Sequence, residues 1–264
     1  MAKKTIGEIQ QMKAEGKKGV MWICYSYETA RIFDKAGPDM FLVGDSGSRF
    51  LLGHPETNDT TLEDMISMGR AVARAVQSGP VVVDMPFMSY QTSIEDAVRN
   101  AGRIVKETRC DAVKLEGDAY FAPTVAALVK VGINVMAHTG VTPMASSAMG
   151  GMRGGFTLPS EKVWNDVRSL QDAGAFSIVL TGIRPPLTEE ITKELRIPTI
   201  AGYLAGEECD LLLGWPNTVG YAYDAIERPA GQYGAAAKTM YDGAVAYIAD
   251  VRAGRVRRRQ PQPA

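Results

Sequence analysis

GPVVVDMPFMSYQTSIEDAVRNAGRIVKETRCDAVKLEG, residues 79–117, is the stretch on which the fold turns. It opens on an apolar, β-branched run at 81–85. Ser93 and Asp96 then open a segment with Ile94, Ala97, Val98, Ala101, Ile104 and Val105 at helical spacing, and a second apolar run follows at 112–116. Strand, helix and strand in this order within roughly 30 residues form a βαβ unit, whose strands run parallel. Both runs are apolar almost throughout, as parallel strands covered on both faces require.

The same alternation extends in both directions. Further strand-like runs lie at 20–25, 40–44, 134–138, 177–181, 198–202 and, most weakly, 211–215, making eight in all. Helical patterns occupy 61–77, 160–173 and 187–195, and a helix at 234–252 is expected to close the barrel. The 61–77 segment begins with Thr61 and Asp64, a capping-box pair with Asp in place of the usual Glu. An opening helix at 5–15 is expected beneath the strands. A chain of 264 residues fits one (β/α)8 TIM-type barrel, which typically needs about 250. The expected organisation is a single barrel over 1–252, followed by a basic, Pro- and Gln-containing tail over 253–264. The Gly-rich stretch 140–158 reads as a lid.

Composition narrows the function. A formal net charge of -1 gives no global electrostatic case for nucleic acid or a membrane surface. The N-terminus lacks the apolar core of a signal peptide, and no apolar stretch reaches the roughly 18 residues of a membrane span. Cys24, Cys110 and Cys209 are widely separated, which suits a reducing cytoplasm. No GxxxxGK[ST] phosphate loop occurs. With only His54 and His138 as histidines, and no cysteine near either, a zinc site is not expected.

Barrel enzymes draw their catalytic groups from the C-terminal ends of the strands. Here those ends deliver Asp45, Asp84, Glu116 and His138 from four consecutive strands. A lone Asp at such a place is usually a helix cap, but three carboxylates converging without arginines repel one another. A hard cation such as Mg²⁺, bound by Asp45, Asp84 and Glu116, resolves that repulsion. Lys114 lies two residues before Glu116 and shares its face, where it neutralises an anionic substrate. His138 is either a hydrogen-bonded structural residue or part of the site.

The motifs VGDS at 43–46, VVDMPFMSYQ at 82–91, RNAGRIVKE at 99–107, DAVKLEG at 111–117 and HTGVTPM at 138–144 resemble the ketopantoate hydroxymethyltransferase family. So do the glycine pair at 150–151, AGAFSIVL at 173–180 and IPTI at 197–200. The resemblance runs in order along nearly the whole chain. It implies a phosphoenolpyruvate/pyruvate-like metal barrel that transfers a hydroxymethyl group from 5,10-methylenetetrahydrofolate to 3-methyl-2-oxobutanoate. It further implies Mg²⁺ on Asp45, Asp84 and Glu116, with Ser46 and Lys114 binding a small 2-oxo acid, and a homo-oligomer.

The departures bear on the reaction. Thr181 occupies the strand end where the resemblance implies a glutamate that takes the substrate proton. Residues 201–206 and 152–156 also differ from the family pattern. Three readings follow. His138, Glu207 or Glu208 replaces the base and the family reaction survives; or the metal site serves a lyase, hydrolase or decarboxylase; or the protein binds 2-oxo acids without turnover. Tyr203 and Phe156, pointing inward, would narrow the pocket and favour the second.

Overall fold

A computed structural model describes residues 2–145, 158–227 and 233–255. The chain divides into two compact units, residues 1–214 and 215–264. In the first, helix α1 (Ile6–Ala14) precedes strand β1 (Gly19–Ile23), α2 (Tyr27–Ala36), β2 (Met40–Val43), α3 (Gly47–Leu52), α4 (Leu62–Ala75) and β3 (Val81–Asp84). Then come α5 (Ile94–Thr108), β4 (Ala112–Glu116), α6 (Ala122–Lys130), β5 (Val135–Gly140), α7 (Ser160–Asp172) and β6 (Ser177–Thr181). Helix α8 (Leu187–Glu194), β7 (Thr199–Ala201) and β8 (Leu211–Gly214) complete it.

The eight strands form a closed barrel in sequence order, each parallel to its neighbours, with β8 returning to β1. The expected (β/α)8 architecture is therefore the observed one. Strands β2 to β7 are buried at nearly every position, because helices cover their outer faces while side chains fill the interior. Among the described residues the β7–β8 connection, 202–210, holds no helix.

Local signals set several boundaries. Thr5 caps α1 in a reciprocal box with Glu8, and Thr61 does the same for α4 with Asp64. The Ser93 side chain accepts from the Asp96 backbone at the start of α5. Helix α1 lies at the N-terminal end of the barrel: Gln10 donates to the Phe176 carbonyl ahead of β6, and Lys13 pairs with Asp210 ahead of β8 at 2.7 Å. Most strand boundaries fall within one residue of the sequence reading, and two differ by two residues. Strand β1 stops at Ile23, and β5 continues two residues past His138 because Gly140 pairs in register with Thr181.

The second unit contains two short 3-10 turns, Pro216–Val219 and Tyr223–Ile226, and helix α9 (Ala236–Arg252). Met240, Tyr241, Val245, Tyr247, Ile248 and Val251 on α9 are all exposed. The central part of the expected lid, with the glycine pair at 150–151 and Phe156, and the tail beyond Arg255 lie outside the described residues. No helix among the described residues is long and apolar enough to cross a membrane.

Candidate active site

Parallel register brings the strand-end side chains together. Asp84 is paired in register with Lys114, and Glu116 with His138. Asp45 sits two residues beyond β2, and its backbone N–H donates to Asp84 Oδ2 at 3.1 Å. All of these residues, with Thr181, are buried.

None of the three carboxylates spends itself on capping the next helix. Asp84 Oδ2 takes Lys114 Nζ at 3.0 Å, while its Oδ1 is buried with no hydrogen-bond partner among the described residues. Asp45 Oδ2 is likewise buried and unmatched. Glu116 Oε2 accepts from the Met144 backbone at 3.0 Å, and Oε1 lies 3.2 Å from His138 Nδ1 and 3.8 Å from Lys114 Nζ. The other imidazole nitrogen, Nε2, stands 2.7 Å from Thr181 Oγ1.

The electrostatics follow from this packing. Burial raises the Asp45 carboxyl well above its ordinary range, and the neighbouring Asp84 and Glu116 charges push it further. Burial also raises Asp84, against the pull of Lys114. For Lys114, burial favours the neutral amine, but Asp84, Glu116 and Asp45 outweigh it and hold the ammonium charged. For Glu116, burial works upward, yet His138, Lys114 and the Met144 N–H together bring its carboxyl down to about 2. The site is thus uneven. Glu116 is fully compensated, whereas Asp45 and one oxygen of Asp84 are short of positive charge.

That shortage is the test of the expected Mg²⁺. Among the described residues, no three His, Cys, Asp or Glu side chains converge as a ready-made metal cage. Glu116 explains why, because both its oxygens face protein donors. Asp45 Oδ2 and Asp84 Oδ1 nevertheless fit a hard cation that draws the rest of its shell from water and substrate oxygens. Buried, unmatched carboxylate oxygens are costly without such a partner.

Several supporting residues carry no signal in spacing. Tyr90 Oη donates to the Glu116 carbonyl at 2.8 Å and accepts from its N–H at 3.1 Å, fixing the end of β4. Tyr25 Oη lies 2.9 Å from Ser46 Oγ. Ser46 occupies the N-cap of α3 but makes no side-chain cap bond, its hydroxyl being turned to Tyr25 instead. Thr60 donates to the Asp45 carbonyl at 3.1 Å.

Three expectations need correction. Glu207 and Glu208 do not join the cluster. Lys18 binds the Glu207 and Cys209 carbonyls just ahead of β8, at the barrel's N-terminal end, and the Glu208 carboxylate accepts from Thr188 and the Gly206 backbone. Tyr203 is 54% exposed and does not narrow the pocket. His138 does belong to the cluster, through both ring nitrogens.

The sequence model of the ketopantoate hydroxymethyltransferase family matches residues 3–257. The 3-methyl-2-oxobutanoate hydroxymethyltransferase of Geobacter metallireducens is 42% identical over 255 residues, covering 96% of this chain and 95% of its own. The enzyme of the same name from Geotalea daltonii is 48% identical over 208 residues, 78% of each chain. Among solved structures, 2,3-dimethylmalate lyase aligns with a TM-score of 0.63 at 15% identity, covering 98% of this chain and 91% of its own. A phosphonopyruvate hydrolase aligns with the same TM-score at 16% identity, covering 99% and 92%. These two likenesses are likenesses of fold.

Proposed function

Because this chain belongs to the ketopantoate hydroxymethyltransferase family, we propose that it transfers a hydroxymethyl group from 5,10-methylenetetrahydrofolate to 3-methyl-2-oxobutanoate, giving 2-dehydropantoate. The observation that carries the reading is the pair of buried, unmatched oxygens on Asp45 and Asp84 beside the Asp84–Lys114 ion pair.

Asp45 and Asp84 would hold Mg²⁺ through their unmatched oxygens, while the Glu116 oxygens are turned to Met144 and His138. When bound, the cation polarises the keto group of the 2-oxo acid and stabilises the enolate formed from it. Lys114, kept charged by its acidic neighbours, neutralises the substrate's anionic end. Ser46, oriented by Tyr25, donates to the same end. His138 is the base that receives the C3 proton, with Glu116 behind it to stabilise the imidazolium. The C3 carbanion equivalent then attacks the one-carbon unit of the folate; both C–N bonds to that carbon break, water supplies its hydroxyl oxygen, and tetrahydrofolate leaves.

Thr181 favours a second reading, because a hydroxyl stands where the family resemblance implies a carboxylate. The same metal–enolate site then serves cleavage, hydrolysis or decarboxylation of another 2-oxo acid, without folate. Proton NMR of 3-methyl-2-oxobutanoate in D₂O, with and without Mg²⁺, separates the two. The transfer reading expects metal-dependent loss of the C3–H signal, absent in Asp84→Ala, and 2-dehydropantoate once methylenetetrahydrofolate is added. No exchange by folded, metal-loaded protein overturns it.

The reading carries a homo-oligomer with it, supported by the exposed apolar side chains of α9, and analytical ultracentrifugation tests that. Three buried free cysteines agree with a reducing cytoplasm.

A further inference from the structure

The imidazole of His138 has no free nitrogen. Nδ1 lies 3.2 Å from Glu116 Oε1 and 3.3 Å from Lys114 Nζ, and Nε2 lies 2.7 Å from Thr181 Oγ1. The donors and acceptors decide where the ring proton sits. Lys114 is a donor only; one of its three N–H groups goes to Asp84 Oδ2, so it does not depend on His138 for a partner. Among the described residues Glu116 Oε1 has no other hydrogen-bond partner, its distance to Lys114 being 3.8 Å. A proton on Nδ1 satisfies Glu116, and a neutral ring avoids placing a second cation against Lys114. Nε2 then holds the lone pair, and the Thr181 hydroxyl donates to it.

We propose that Thr181 is the relay through which His138 receives the substrate proton, since the only lone pair of the imidazole is covered by the Thr181 hydroxyl. The inference rests on the enolisation reading above and adds a residue to it. As the substrate C3–H bond breaks, its proton bonds to Thr181 Oγ1, and the hydroxyl proton passes to His138 Nε2. The C–H electron pair becomes the enolate double bond, and the keto oxygen takes the negative charge. The imidazolium left behind faces the Glu116 carboxylate at Nδ1. A threonine hydroxyl is far too weak a base alone, so the carboxylate–imidazole–hydroxyl sequence is what makes the step feasible.

The backbone holds the hydroxyl in place. Residue 202 approaches so closely that a Cβ there would lie 2.1 Å from Thr181 Oγ1. The Thr181 carbonyl accepts from the Val141 N–H at 2.7 Å, and Thr181 pairs with Gly140 across the β5–β6 ladder. The backbone that carries Oγ1 is therefore fixed beside His138.

The test compares the full-length parent with Thr181→Val and Thr181→Ser by two readouts. Nitrogen-15 NMR of the histidines, of which there are only two, with His54→Gln for assignment, reads the tautomer in metal-free protein. The expected parent signal is one neutral ring protonated on Nδ1. Ser keeps that signal, while Val, lacking the donor, lets the proton populate both nitrogens. With Mg²⁺, deuterium exchange at C3 of 3-methyl-2-oxobutanoate is expected to fall about 10²–10³-fold in Val and to stay within about tenfold in Ser. A parent ring protonated on Nε2, or exchange in Val at the parent rate, overturns the relay and leaves the transfer reading standing. Absence of exchange in the parent overturns the transfer reading itself.

Discussion

The backbone N–H of Asp45 donates to Oδ2 of Asp84 at 3.1 Å, locking two carboxylates side by side at adjacent strand ends. Lys114 occupies the same Asp84 oxygen, so the one cation found there among the described residues is spent on one side of the pair. The other side, Asp45 Oδ2 and Asp84 Oδ1, is left as buried negative charge. The protein carries a local electrostatic cost at this point that a divalent cation removes.

Asp45→Asn follows directly. Burial and the Asp84 charge raise the Asp45 carboxyl in the folded state, so folding binds its proton more tightly than the unfolded chain does. For such a group, stability is lost as pH rises above the unfolded value of about 3.9. The amide variant is therefore expected to melt several degrees above the parent in the absence of metal at pH 8, with the gap narrowing as pH falls toward 4. The stabilisation that Mg²⁺ gives the parent should be missing from the variant. Thermal melts at both pH values, with and without Mg²⁺, check it.

Glu116→Gln has the opposite sign. His138 and Lys114 outweigh burial and hold this carboxyl down to about 2. Its contribution to stability is present above the unfolded value of about 4.3 and is lost as pH falls through about 2. The variant should be less stable by about 1–3 kcal/mol at pH 7, since it weakens a buried charged hydrogen bond. Urea melts at pH 7 and pH 3 should show the difference between parent and variant shrinking at the lower pH.

Lys114→Met removes the ammonium and leaves the Asp84 and Glu116 carboxylates without it. Breaking a buried pair in this way typically costs about 3–5 kcal/mol. The expected outcome is a large drop in the urea midpoint together with loss of C3–H exchange. Mg²⁺ should recover part of the stability, because a cation beside Asp84 replaces some of the missing charge. An unchanged midpoint would show that the 3.0 Å contact carries little energy.

Much of this was legible in the residues. Strands such as β3 and β4 are apolar runs whose last residue is charged, and a parallel barrel sends all such ends to one face. The caps at Thr5, Thr61 and Ser93 are local and obey local rules. The orientation of Glu116 was not legible, because it depends on Met144, 28 positions away, and on Tyr90, which grips its backbone from both sides. Nor does spacing reveal that Tyr25 aligns Ser46, or that β5 runs on to Gly140. Glu207 and Glu208 misled because sequence distance from β7 gives no sign of a helix-free return to the far end of the barrel.

Gly202→Ala separates the geometry of Thr181 from its chemistry. A Cβ at 202 would stand 2.1 Å from Thr181 Oγ1 and 2.5 Å from the Leu180 carbonyl oxygen. The first contact is with a side chain that can rotate away, and the second is with backbone inside β6, which cannot. The variant is therefore expected to lose C3–H exchange as Thr181→Val does, because the hydroxyl is driven from His138. It should also lose about 1–3 kcal/mol of stability through overpacking, which the valine variant does not share. Adding Thr181→Ala relieves only the first clash, so the double variant should recover little of the stability. A double variant that melts with the parent would mean that the strand yields, and that the hydroxyl alone sets the spacing between β6 and β7.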